Sequence, residues 1–164
     1  MASRKKPAAP FVLPDALMTA FATNNRINLY LIEHLPEPAW RAVPPGGNGR
    51  TIAAMAAHIH NVRLMWLKSV SYASAPSKLN PESVTRPQAA AALSESGEAI
   101  DAVLRSGFGG DGRIKGFQPD AAGFFAYLIA HDAHHRGQIM MMARQSGHPV
   151  SQSAMFGLWQ WGTR

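Results

Sequence analysis

The sequence predicts an all-α fold, a four-helix bundle, on three observations. Four segments place apolar side chains at the three- and four-residue spacing of a helix seam. Strand signals are absent, and the four segments are parted by stretches dense in Pro and Gly: Pro36 to Gly49, Pro76 to Pro81 and Gly107 to Pro119. With 164 residues the chain can bury one sizeable core, so a single domain is expected over residues 14–164, behind a disordered basic Pro/Ala-rich tail at residues 1–13.

The first helix is expected from about Asp15 to Leu35, with Leu17, Phe21, Asn24, Asn28, Leu31 and Leu35 along its seam. Two Asn therefore sit mid-seam. The second starts at Thr51 as N-cap and runs to about Ser74, with Met55, His58, Val62 and Met65 in one stripe. Thr85 and Gln88, at capping-box spacing around Pro87, open the third, whose buried face reads Leu93, Ser96, Ile100 and Val103 before Gly107 ends it. The fourth runs from about Asp120 to Ser146, stopped by Gly147 and Pro149; its seam is Phe124, Leu128, His131, His135, Gln138 and Met142. An apolar tail, Met155 to Trp161, is left to pack across an end of the bundle or against a second copy.

Composition narrows the chemistry. Without cysteine, disulfides, thiolate metal sites and Cys nucleophiles are excluded, so a metal would rest on His and carboxylates. The formal charge of +6 suggests nucleic acid, but Arg4, Lys5 and Lys6 of the tail supply half of it. The other Lys and Arg are scattered and do not interleave with aromatics, which argues against a nucleic-acid surface. No signal-peptide or membrane-spanning run stands out, and a soluble cytoplasmic protein without membrane or nucleic-acid partners is expected.

His131 and His135 lie one turn apart and about 40° apart around a helix, so both imidazoles can reach one ion. A third ligand must come from elsewhere. His58 and His60 differ by about 200° around the second helix, so only one is expected to face the core, and His58 shares the apolar stripe. Three neutral imidazoles leave a position open for water or substrate, as catalytic metal sites do. Such an ion can lower the pKa of bound water towards ~7 or bind and activate a thiol. A lone His on a seam is more often a satisfied core residue, but three of them, with Asn24, Asn28 and Gln138 also on seams, would be costly to bury without a ligand. Asn28, Tyr30, Arg63, Trp66 and Gln138 are candidates for lining the pocket; His34, His134 and His148 read as surface or supporting residues.

Two motif matches carry less. HDAHH fits H-[DE]-x-x-H with Asp132 in place of the metalloprotease Glu, but the supporting sheet is missing, and Asp132 is expected to hydrogen-bond or pair at the helix surface. Gly107 to Gly112 matches GxGxxG without a preceding strand and reads as a connector.

The segment AHIHNVRLMWL, the downstream HDAHHRGQIMMMARQSGHP and the ending GLWQWG together resemble the DinB-like superfamily of metal-binding four-helix bundles, over about residues 14–162. In that superfamily the first ligand matches His58 and the other two match His131 and His135. The resemblance implies a long crossover between the second and third helices, a divalent ion such as zinc or nickel, and a homodimer. Characterised relatives include S-transferases that join a low-molecular-weight thiol to an electrophile, and a thiol-dependent maleylpyruvate isomerase. The expected function is a metal-dependent enzyme that activates a small thiol for transfer to a small-molecule electrophile. A metal-dependent hydrolase at the same site, or a non-catalytic metal-binding or stress-response protein, are the alternatives.

Overall fold

The structure is a computed structural model, and it describes residues 10–164. Most of the expected basic tail lies outside the described residues. Helix α1 spans Leu13–His34, entered through Pro14 with Asp15 beside the positive helix start. Helix α2 spans Ile52–Ser69, its first turn closed by the Thr51 hydroxyl accepting from the Ala54 amide. It stops short of Ser74, because the amides of Val70 and Ser71 fold back onto Trp66 O and Lys68 O and Ser71 takes a left-handed φ of 58°. Helix α3 spans Arg86–Gly109 and begins with the full Thr85/Gln88 capping box. Helix α4 spans Ala121–Gln145 behind the Asp120 cap, and Gly147, at a φ of 81°, turns the chain out of it. A short α5, Gln152–Gly157, forms within the C-terminal segment. The described residues contain no strand, and no helix is long and apolar enough to cross a membrane.

The ends of α1 and α4 and the starts of α2 and α3 share one apolar cluster, which holds Leu31, Met55, Leu93 and Ile139. The opposite ends share a second, with Phe21, Leu67, Ile100 and Phe124. Helices α1 and α4 therefore run one way, and α2 and α3 the other. Two consecutive helices that run parallel need a connection as long as the bundle, and residues 70–85 make it. His60 and Asn61 of α2 pin this crossover: the His60 ring lies 2.9 Å from Ser77 O, and Asn61 bonds both N and O of Leu79. Trp40, in the 3-10 turn Glu37–Arg41, donates to Val84 O at the crossover's end.

The expectation for His60 is overturned here. His60 is fully buried, its other ring nitrogen 2.9 Å from Ala92 O of α3, while Met65 of the expected stripe is 52% exposed. Helix α2 is covered by α3 and the crossover on one side and by α4 on another, so its buried arc is wider than a single seam. His58 and His60 both face protein, on different neighbours. The C-terminal segment packs across the end of the bundle: Val150, Ala154 and Leu158 join the first cluster, and Arg164 lies over the Tyr30 ring.

Candidate metal centre

A polar layer separates the two apolar clusters, and the three expected histidines stand beside it. His58 of α2 and His131 and His135 of α4 offer ring nitrogens that all lie within 4.8 Å of one another. Metal–nitrogen bonds of about 2.0–2.1 Å set a spacing of roughly 3.3 Å at tetrahedral angles. Modest side-chain rotation closes that difference. Burial first, then the charges of Arg50, His135 and His131, push the His58 pKa down to about 4. Burial also lowers His135, against a hydrogen bond to Gln138 that raises it. These two rings are thereby kept neutral, with lone pairs available to a cation.

Two neighbours set the orientation of the pair on α4. The His135 Nδ1 lies 2.8 Å from the Gln138 Oε1, which can only accept, so Nδ1 carries the proton and Nε2 is left free. The His131 ring stacks on Tyr127, and its Nδ1 is 3.9 Å from the Asp132 Oδ1, beyond hydrogen-bond range. That carboxylate oxygen is buried and has no hydrogen-bond partner. It is left as an unused acceptor near the His131 ring.

Asp132 does not pair at the helix surface, as the sequence suggested; it is 1% exposed. Its Oδ2 accepts from Asn24, Asn28 and Arg63 at 2.7, 2.8 and 2.9 Å. Burial alone would raise this carboxyl, but the Arg63 guanidinium and the hydrogen bonds outweigh it and hold it at about 2. A carboxylate so engaged is unsuited to the general-base role of the protease motif. Arg136 completes the layer by donating to the side-chain oxygens of Asn24 and Asn28. The two mid-seam Asn are thus satisfied by an ionic network and do not need the ion. The sequence signal for this layer was present in those Asn, yet Arg136 and the inward aim of Asp132 gave none of their own.

The remaining pocket candidates divide. Asn28 and Arg63 belong to the buried layer, Arg63 also binding Asn25 Oδ1 and Leu93 O. Gln138 is exposed apart from its bond to His135 and lines a cavity of about 360 Å³ beside the cluster. Trp66 packs edge-to-face on Phe117, Phe124 and Tyr127, so it reaches the histidines only through Tyr127. Tyr30 sits under the C-terminal segment, away from the cluster. His34 and His134 are exposed; His148 is half-buried. A larger cavity, about 450 Å³, lies at the other end between the crossover's start and α3, and shares no residue with the cluster.

Fold and cluster together define a helical bundle with three histidines in position to hold a metal ion. The chain belongs to the DinB superfamily, whose family model matches residues 20–139, a stretch that contains all three. No curated protein and no solved structure matches the chain.

Proposed function

We propose that this protein is a metal-dependent enzyme that activates a small thiol for transfer to an electrophile, with His58, His131 and His135 holding the ion. The observation that carries the reading is the cluster itself: three imidazoles converge within 4.8 Å, with burial lowering the pKa of two of them. Neutral ligands leave a divalent ion, zinc or nickel, its full charge, and three of them leave a position open. When bound, the ion would supply the positive charge that favours a deprotonated thiol beside it.

The chain's own residues do the rest. Gln138 fixes the His135 tautomer, Tyr127 stacks on the His131 ring, and the Arg63/Asp132 pair keeps α2 and α4 in register behind the site. The thiol proton leaves to solvent; its sulfur attacks the electrophilic atom, and the leaving group departs with the bond's electron pair. A homodimer is part of the reading, supported by Phe156 and Trp159 standing 63% and 81% exposed on the C-terminal segment.

Metal content after dialysis against metal-free buffer tests it, with wild type beside His131→Ala/His135→Ala. About one ion per chain retained by the wild type and none by the variant supports the site. Cobalt-loaded protein is then titrated with 2-mercaptoethanol. A sulfur-to-cobalt absorption band supports the thiol reading, and its absence points to hydrolysis or a non-catalytic role. No ion in either protein sinks the metalloenzyme reading.

A further inference from the structure

The cavity beside the histidine cluster has a chemical character of its own. Its walls come from the connection between α1 and α2 and from facing turns of α2 and α4, with Pro44, Arg50, Met55, Gln138, Met141 and Met142 on them. None of the three histidines lines the cavity, but Met55 stands one turn before His58 and Gln138 bonds His135 directly, so the cavity lies beside the cluster. Pro44 O accepts from the Gly47 amide, and Gly46 and Gly47 take left-handed φ values. That tight turn sets Arg50 immediately before the Thr51 cap of α2.

We propose that this cavity is a binding subsite for a small organic carboxylate with an apolar body, and that Arg50 anchors its carboxylate. Three features of the site carry the proposal. The cavity's apolar wall is methionine and proline, a surface that accepts flexible hydrophobic groups. Its one charged side chain is cationic, and among the described residues Arg50 makes no ion pair and no side-chain hydrogen bond. The nearest buried carboxylate, Asp132, is turned away into the layer with Arg63. A guanidinium free to make two parallel hydrogen bonds matches a carboxylate in shape as well as charge.

As a substrate subsite this rests on the enzymatic reading, and it names the substrate class: one of the two reactants carries a carboxylate. The binding itself does not require the ion. The test therefore uses metal-free full-length protein labelled at the methionine methyl groups, titrated with hexanoate and, separately, with hexan-1-ol. Hexanoate should shift the Met55, Met141 and Met142 signals saturably, leave the remote Met18 signal still, and bind about tenfold more tightly than the alcohol. Arg50→Gln should remove that preference, and Arg50→Lys should keep part of it. Because Arg50 is exposed and unbonded, both variants should fold as wild type by far-UV circular dichroism. Absence of saturable shifts, equal affinity for acid and alcohol, or an unchanged preference in Arg50→Gln would each overturn the proposal. Hexanoate binding without any thiol response in the cobalt-loaded protein would sink the thiol chemistry and leave the subsite standing.

Discussion

Asp132→Asn tests the buried layer most directly, because it keeps the side chain's shape and removes its charge. Asp132 faces two guanidinium groups: Arg63 at 2.9 Å, and Arg136 through Asn24 and Asn28. Arg63 is 1% exposed and has no water to turn to. Removing one partner of such a pair costs about 3–5 kcal/mol, mostly from the unpaired charge left behind. Against a total stability of about 5–15 kcal/mol that is a large share, and it corresponds to a Tm drop of roughly 6–20 °C at this chain length. Urea titration of metal-free protein, followed by circular dichroism at 222 nm or any helix-sensitive signal at about pH 7, reads it. The double variant Asp132→Asn/Arg63→Met should be less destabilised than the sum of the single variants, since it removes the orphaned cation too. A loss under about 1 kcal/mol for Asp132→Asn would refute the reasoning and mean that solvent or a neighbour satisfies the arginines.

Three further outcomes are expected. His58 takes a pKa of about 4 in the folded protein against 6.5 ordinarily. Its contribution is therefore full above pH 6.5 and is lost as pH falls through about 4, and His58→Ala should flatten that part of the stability profile in metal-free denaturant titrations. Gln138→Leu removes the acceptor that fixes His135, and should weaken zinc binding about 10–100-fold in competition with a chromophoric chelator while the melting temperature of the metal-free protein barely moves. Gly97→Ala should cost about 1–3 kcal/mol by urea titration, because a Cβ there collides with the Asn25 side chain whose oxygen holds Arg63.

The helices were legible because local rules set them. The Thr51 and Asp120 caps, the Thr85/Gln88 capping box and Gly147 act within a few residues of their own backbone, so sequence spacing alone locates them. The same holds for His131 and His135, which one helical turn brings together whatever the rest of the chain does. The seams of α1 and α3 read correctly apart from Leu17, which is only half-buried while Met18 takes the core position: Phe21, Asn24, Asn28, Leu31 and Leu35 on one, Leu93, Ser96, Ile100 and Val103 on the other, are buried.

Local spacing thus accounts for an all-helical chain with a histidine pair on one helix, a third histidine on another, and membership of a family signalled by HDAHHRGQ. What each polar seam residue meets depends instead on how the helices pack against one another. Helix α2 has neighbours on more than one side, so its periodicity could not say that His60 is buried against the crossover and that Met65 is not. Asp132 is one residue along α4 from His131, which turns it by about 100° towards α1 and into a pair with Arg63. Its partners lie 69 or more positions away in the chain. A buried charge is stable only where its partner arrives, and no local pattern encodes a meeting between residues brought together by the crossing of separate helices.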